Sequence, residues 1–318
     1  MTTFSADFVQ RNRLSDRPLA ELTTMRVGGQ ATVIQLDDRR DLTEAIATGG
    51  RWLGKGANLL VGDAPAERIV LRLGRDFETC SIDPLSNGIA RVRVGAAHDL
   101  AKLIAATTVA GLAGPEGLAG VPATVGGALR MNAGTSTCWM LDWVVRVEVV
   151  LPGEEASRWL ERAELPASYR TCGLPEGTIF LGCELALAGG NPEVLKATAT
   201  RLKQAKAASQ PLALASAGCV FKNPSRELPA GKLIDDLGLK GARIGGAEVS
   251  PVHANFIVNP ERKATADDVC SLIYHIRERA WRERAVVLSM EVEAWDCPDW
   301  LHAHPALVNS DAALAPVA

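Results

Sequence analysis

The strongest constraint on the fold is a glycine-rich stretch, GLAGPEGLAGVPATVGGALRMNAGT, at residues 111–135. Glycine recurs there at short intervals, so the stretch offers few side chains to a hydrophobic core. A long flexible loop explains it poorly, because Val121, Val125, Leu129 and Met131 are apolar residues that favour burial. We therefore expect a wall along which the backbone approaches a large, flat ligand.

Strand and helix patterns alternate along the rest of the chain. Residues 90–97 alternate strictly between apolar and other side chains, as a half-buried strand does, and residues 98–111 then show helical spacing. Strands in both halves, without a regular βαβ repeat, indicate the α+β class. Further strands are predicted at 31–38, 143–151, 178–187, 254–259 and 286–295, and further helices at 39–50, 192–209, 230–238 and 265–284.

The clearest helix is the one at residues 265–284. Thr265 followed by Asp268 predicts a capping box at its start. Its apolar residues form one stripe, which we expect to face a core. The stripe consists of Val269, Leu272, Ile273, Ile276 and Ala280.

Composition and charge exclude several classes of protein. With 318 residues, 47% hydrophobic and 22% charged, the chain has the composition of a globular protein of two or three domains. A net charge of -3 without a basic block predicts no nucleic-acid partner. No apolar run reaches the length of a membrane span or a signal peptide. The seven cysteines lack zinc-site spacing, so we expect reduced thiols and no metal.

Two short motifs could bind anions. GKGANLL, at residues 54–60, is typical of a turn that cradles phosphate, but Leu59 replaces the third glycine of a dinucleotide fingerprint, so a structural turn remains an alternative. SAGCVFKNP, at 216–224, places Cys219 shortly before a lysine and Asn223. From these residues alone, Cys219 could be an acid, a metal ligand or a buried thiol.

Two further charged residues are candidates for chemistry. Arg170 lies in SYRTC just before a predicted strand, and Glu291 lies on the more polar face of the last predicted strand. Either could instead be a solvated surface charge.

The order of these motifs resembles that of the UDP-N-acetylenolpyruvoylglucosamine reductases, the MurB family, over residues 20–296. The resemblance implies a cytoplasmic, monomeric enzyme of the shorter subtype that reduces UDP-N-acetylglucosamine enolpyruvate to UDP-N-acetylmuramate in peptidoglycan synthesis. NADPH would be the hydride donor and FAD the non-covalently bound cofactor. The segments that carry the resemblance are TTMRVGG, GKGANLLVGD, EGLAGVPATVGGALRMNAG, YR, SAGCVFKNP, AGKLIDDLGLKGARIGGAEVSPVHANFIVN and MEV.

The same resemblance implies a fold in three parts and a peripheral tail. A two-part FAD-binding region of the vanillyl-alcohol-oxidase type would be followed by an α/β substrate-binding domain. The implied bounds are 1–75 and 76–200 for the two FAD-binding subdomains, 201–297 for the substrate domain and 298–318 for the tail.

The resemblance also assigns roles to residues. Arg170 and Glu291 would stabilise the negative charge that hydride addition builds on the substrate. Cys219 stands at the position of the family's proton-donating serine, and a thiol with an ordinary pKa of about 8.5 is a stronger acid than an alcohol. Asn223 and His253 would bind substrate. FAD would be bound by Gly54, Lys55, Gly56, Ala57, Asn58, Leu59, Gly117, Pro122, Thr124, Val125 and Gly127.

Several positions depart from the family pattern. Ala57, Cys172 and Met290 replace a usual serine, serine and proline, and residues 133–139 lack the usual Ala-Tyr-Gly ending. These departures leave two alternatives open. One is another FAD-dependent oxidoreductase on the same scaffold, and the other is a non-catalytic protein that binds FAD or a nucleotide sugar.

Overall fold

The computed structural model describes residues 4–64, 68–135 and 137–304. Helices and strands both occur throughout these ranges, which confirms the predicted α+β class. The helices are α1 (Ala6–Arg11), α2 (Leu42–Ala47), α3 (Leu100–Val109), α4 (Val125–Arg130), α5 (Pro192–Ser209), α6 (Ala230–Asp236) and α7 (Ala266–Arg284). The strands are β1 (Arg13–Pro18), β2 (Gln30–Leu36), β3 (Arg51–Trp52), β4 (Leu59–Val61), β5 (Ile69–Leu73), β6 (Cys80–Ile82), β7 (Ile89–Gly95), β8 (Leu112–Ala113), β9 (Val144–Val150), β10 (Arg158–Glu161), β11 (Ile179–Gly189), β12 (Ala215–Cys219), β13 (Arg243–Ile244), β14 (Ala247–Val249), β15 (Phe256–Asn259) and β16 (Glu293–Trp295).

The described residues form two compact units, each assembled from separate stretches of chain. The first unit contains residues 4–16, 32–55, 68–135 and 137–205, and the second contains 17–31, 56–64 and 206–304. The division into subdomains at 75, 200 and 297 stays a prediction.

The first unit is built on two sheets. Strands β2, β5 and β3 pair in parallel. An antiparallel sheet has the order β10-β9-β11-β7-β6, with β8 also paired to β11. Helices α3 and α4 bury their apolar residues against this sheet, because both contribute to one core cluster with Val92, Val147 and Leu185.

Helix α4 lies inside the glycine-rich stretch. Val125, Ala128 and Leu129 on this helix are fully buried. The expectation that Val125 and Leu129 favour burial is therefore correct. The expectation of a plain backbone wall is incomplete, because three buried side chains are enough to anchor one short helix in the core of the first unit.

The second unit combines a four-stranded antiparallel sheet, β12-β15-β14-β13, with the parallel pair β16 and β4. Helix α7 has the predicted capping box between Thr265 and Asp268. Its predicted apolar stripe is buried at every position and belongs to the core cluster of this unit.

The predicted strand over 286–295 is largely wrong. Only β16 is a strand, while Met290 forms a single bridge with Phe221 and Ser289 accepts one hydrogen bond from the amide of Lys222 at 2.9 Å. Alternating residues are present in this segment, but a continuous partner strand is not found among the described residues.

The described part of the predicted tail packs against α7. Leu301 is fully buried, and its carbonyl oxygen accepts a hydrogen bond from Nη1 of Arg277. Trp300 meets Tyr274 edge to face at 5.7 Å. Residues 305–318 of the predicted tail lie outside the described residues.

Candidate active site

Gly54 and Thr124 approach each other closely in the first unit. A Cβ atom on Gly54 would lie 2.9 Å from Oγ1 of Thr124, so a side chain at position 54 would displace this hydroxyl. The same hydroxyl caps helix α4 by accepting a hydrogen bond from the amide of Gly127 at 3.2 Å. The structure thus brings Gly54 together with Thr124 and Gly127, two predicted cofactor residues from a distant part of the sequence.

Lys55 is held beside this contact by Asp99. Its Nζ lies 2.5 Å from a carboxylate oxygen of Asp99, and Asp99 pairs with Thr124 through a backbone bridge. Burial alone would raise the pKa of Asp99, but the hydrogen bond and the charge of Lys55 outweigh it and hold this pKa below its ordinary value. The carboxylate of Asp99 is therefore ionised at neutral pH, and it holds the ammonium group of Lys55 next to Gly54 and Thr124.

The turn that begins at Gly54 offers backbone donors. Within the described part of the chain, the amide N–H groups of residues 54–57 donate to no protein acceptor. Successive unpaired N–H groups in a glycine turn are the donors that a phosphate group needs. The turn and the cation of Lys55 therefore suit a pyrophosphate.

The other predicted cofactor residues of the first unit differ in what they present. Pro122 is exposed, and Gly127 is half-buried, where a Cβ atom would lie 3.5 Å from Oγ1 of Thr124. Val125 is fully buried and its amide donates to the carbonyl oxygen of His98 at 2.9 Å, so its side chain faces the core. A Cβ atom on Gly117 would lie 2.4 Å from Sγ of Cys138, which shows how closely these segments pack.

Arg170 lies at the tip of a tight turn in the first unit. Ser168 and Thr171 close the turn, and the φ angle of Arg170 is 62°, in the left-handed region. This conformation costs a non-glycine residue about 1 kcal/mol. Nη1 of Arg170 donates to the carbonyl oxygen of Gly134 at 3.1 Å, so the guanidinium has a defined position.

In the second unit, the end of the glycine turn is tied to Glu291. Nδ2 of Asn58 donates to the carbonyl oxygen of Glu291 at 3.0 Å, and the amide of Glu293 donates to the carbonyl oxygen of Asn58 at 3.1 Å. The amide of Glu291 donates to the carbonyl oxygen of Val220 at 2.8 Å. Because Val220 follows Cys219, the backbone segments that contain Asn58, Cys219 and Glu291 lie close together.

Gly56 anchors the same turn through its backbone. Its φ angle is 64°, and a Cβ atom there would lie 2.3 Å from the carbonyl oxygen of Leu22. Both the amide and the hydroxyl of Thr24 donate to the carbonyl oxygen of Gly56, at 3.0 and 3.3 Å. Only glycine fits this position without moving the backbone.

Cys219 is the last residue of strand β12. It pairs with Phe256 on β15 after an irregularity that includes Gly218, whose φ angle is 81°. The thiol is half-buried. Among the described residues, the core cluster of this unit contains the neighbouring Val220 and Phe221 but not Cys219.

Asn255 holds the chain immediately after Cys219. Its Oδ1 accepts from the amide of Phe221 at 3.0 Å, and its Nδ2 donates to the carbonyl oxygen of Phe221 at 2.8 Å. Its own carbonyl accepts from the amide of Val220 at 2.9 Å. The buried amide group thereby extends the strand pairing past Cys219 and fixes its direction.

The two predicted substrate residues occupy different surroundings. Asn223 is exposed, and its Oδ1 accepts from the amide of Ala230 at the start of α6, at 3.0 Å. His253 is half-buried, its Nδ1 accepts from the amide of Asn255 at 3.2 Å, and burial lowers its pKa below the ordinary value. His253 is therefore neutral at pH 7, with its proton on Nε2.

Comparison with known proteins agrees with this geometry. Residues 41–158 match the FAD binding domain family, and residues 210–295 match the C-terminal domain of UDP-N-acetylenolpyruvoylglucosamine reductase. The UDP-N-acetylenolpyruvoylglucosamine reductase of Rhodospirillum rubrum is 40% identical over 298 residues, which cover 89% of this chain and 90% of that protein. The chain belongs to the UDP-N-acetylenolpyruvoylglucosamine reductase family.

Other members of this reductase family are similarly close. The protein of Deinococcus radiodurans is 38% identical over 288 residues, covering 89% of this chain and 96% of that protein. The crystal structure of the Thermus caldophilus reductase, 37% identical, matches with a TM-score of 0.77 over 89% of this chain and 99% of that one. The resemblance read from the sequence is confirmed, and so is a FAD-binding region followed by the reductase's C-terminal domain.

Some groups in the candidate site suit FAD, and two other residues of the site were not predicted from the sequence. The free amides of residues 54–57 and the cation of Lys55 fit the pyrophosphate of this cofactor. Asp99 and Asn255 were missed, because they act on Lys55 and on the Cys219 strand only through contacts distant in sequence. Asp99 also caps helix α3, but this local signal does not indicate its contact with Lys55.

Two further observations concern metals and membranes. In the described ranges, no three His, Cys, Asp or Glu side chains group as metal ligands would. Among the described helices, none combines the length and the apolar character needed to cross a bilayer. All seven cysteines fall within the described ranges, and none is in a disulfide.

Proposed function

We propose that this reductase converts UDP-N-acetylglucosamine enolpyruvate to UDP-N-acetylmuramate with NADPH and FAD, as a cytoplasmic monomer of the shorter subtype in peptidoglycan synthesis. The observation that supports it best lies in the second unit, where the amide of Glu291 donates a hydrogen bond to the carbonyl oxygen of Val220. Since Val220 follows Cys219 directly, this bond places the backbone of Cys219 near that of Glu291. A binding protein would need neither an acidic thiol nor a carboxyl group at these positions.

The reaction makes distinct demands on the three polar groups. When held by the turn that begins at Gly54 and reduced by NADPH, FAD would be the source of the hydride that adds to the β-carbon of the enol ether. Negative charge then develops on the α-carbon and its carboxylate, and we assign its stabilisation to the guanidinium of Arg170 and to Glu291 as a protonated carboxylic acid that donates a hydrogen bond. The thiol of Cys219 delivers a proton to the α-carbon, which completes the lactyl ether, and the thiolate is reprotonated from solvent.

We assign the cofactor's phosphates to the turn that begins at Gly54. The amides of this turn donate to phosphate oxygens, and Lys55, fixed by Asp99, supplies the positive charge. The close contact between Gly54 and Thr124 keeps the turn next to helix α4. Asn223 and the Nε2–H of His253 are the proposed donors to the substrate.

Steady-state assays test the proposed activity directly. The purified protein should be yellow and should oxidise NADPH only when UDP-N-acetylglucosamine enolpyruvate is added, with UDP-N-acetylmuramate as the product detected by mass spectrometry. Oxidation of NADPH with a different small acid would favour the other oxidoreductase. A yellow protein that oxidises no NADPH with any acid would favour the non-catalytic alternative.

FAD should be bound non-covalently, because no histidine lies in the glycine-rich stretch. His98 contacts this stretch through its carbonyl oxygen, but its Nδ1 lies 2.8 Å from the carbonyl oxygen of Glu78 and its Nε2 is buried. Acid precipitation should release all yellow colour into the supernatant. Absorbance that stays with the pellet after washing in acid would contradict the prediction.

A further inference from the structure

Trp139 has a defined position beside Gly134 in the first unit. The two residues form a backbone bridge, and a Cβ atom on Gly134 would lie 2.2 Å from Cε3 of the indole. The amide of Trp139 donates to Oδ2 of Asp142 at 2.8 Å, and the amide of Asp142 donates back to the carbonyl oxygen of Trp139 at 3.1 Å. The absence of a side chain at Gly134 therefore makes room for the indole, and Asp142 fixes its backbone.

The guanidinium of Arg170 lies over this indole. Its Cζ is 5.7 Å from the ring centroid of Trp139 and 5.1 Å from that of Tyr169, and the two rings meet edge to face at 5.9 Å. Nη1 of Arg170 donates to the carbonyl oxygen of Gly134. Two aromatic rings and one carbonyl thus surround a single cation.

We propose that Trp139 is a positioning residue for Arg170, and this inference rests on the proposed function of Arg170. Arginine has a long side chain with many rotamers, and an unsupported one loses entropy when it must meet a substrate carboxylate. Stacking on an indole restricts these rotamers in advance. A cation–π contact does not itself use the N–H donors of a guanidinium, so it supports the side chain without competing for the groups that bind an anion.

The first test compares two substitutions at Trp139. Trp139→Leu removes the aromatic face and should slow the reoxidation of reduced enzyme by the enolpyruvyl sugar by about tenfold, the scale of one partly desolvated cation–π contact, with reduction by NADPH unchanged. Trp139→Phe keeps a ring and should recover most of the rate. Thermal unfolding of both variants checks that they fold. Equal rates for Leu and Phe would overturn the proposal.

Trp159 provides the matched control. It stacks on Arg146 in the same unit, with Cζ of Arg146 4.7 Å from the ring centroid, on residues that we place in no binding or catalytic function. Trp159→Leu should leave both half-reactions unchanged. In an Arg170→Ala background, Trp139→Leu should add no further loss, because it acts through the arginine. A full tenfold loss in that background would show that Trp139 acts by another route.

A spectroscopic measurement makes the test independent of turnover. In protein labelled on arginine, the Hδ and Hε resonances of Arg170, assigned by their loss in Arg170→Lys, should be shifted upfield by the ring currents. Trp139→Leu should move them downfield, and Trp159→Leu should not. Unmoved resonances in Trp139→Leu would overturn the positioning role even in an active enzyme. Moved resonances in a protein that does not reduce the sugar would instead count against the proposed function alone.

Discussion

Arg170→Ala and Glu291→Ala are each expected to slow reoxidation of the reduced enzyme by UDP-N-acetylglucosamine enolpyruvate by about 10²- to 10³-fold. That is the usual loss when one preorganised group facing a developing negative charge is removed. Bleaching of the flavin by NADPH should stay near the wild-type rate, because neither residue is assigned to the nicotinamide. Stopped-flow absorbance at the flavin band separates the two half-reactions.

Arg162 is a suitable control for Arg170. It lies in the same unit and also donates to backbone carbonyl oxygens, those of Leu141 at 3.1 Å and Leu165 at 3.2 Å. Arg162→Ala should therefore test the loss of a partly buried arginine without loss of the proposed chemistry, and both half-reactions should remain near normal. Slow bleaching of Arg170→Ala with normal recolouring would contradict the assignment of Arg170.

The elements predicted best from the sequence are those fixed by local interactions. Helix α7 begins at a capping box and buries one apolar stripe. The residues that predict its start and its buried face all lie within about twenty positions of each other. The strand predicted over 286–295 failed because a strand also needs a partner. Met290 bridges Phe221, from a segment far away in sequence. The amides of Glu291 and Val292 then both donate to the carbonyl oxygen of Val220, so no regular ladder continues from this bridge among the described residues.

The candidate site shows the same limit. Glycine spacing pointed to Gly54 and to the stretch containing Thr124, but their close contact results from folding of the first unit. Residues 133–139 could be read only as a departure from the family pattern. Trp139 lies against Arg170 because of the turn at Arg170 and because Gly134 leaves room for the indole. Neither feature follows from a periodic pattern in the sequence.

Cys219→Ala is expected to slow the substrate half-reaction by about 10²-fold or more, the usual contribution of a positioned acid. FAD binding and reduction by NADPH should be intact, because the thiol is assigned only to protonation of the α-carbon. Cys219→Ser should recover part of the loss, since a hydroxyl group can occupy the same place, although its shorter C–O bond moves the donor toward the backbone. Single-turnover reoxidation of each variant measures both effects.

The competing explanation is that Cys219 only packs against Phe221 as a small apolar residue. Alanine would then be mild, and serine, which places a polar group where an apolar one packs, would be the more harmful change. The thiol is half-buried and, among the residues described, lies outside the core cluster that contains Phe221, so the order of the two variants decides between the explanations. Cys80→Ala, at another half-buried thiol, is the control and should leave both half-reactions unchanged. If Cys219→Ala retains nearly full activity, the proton comes from another group.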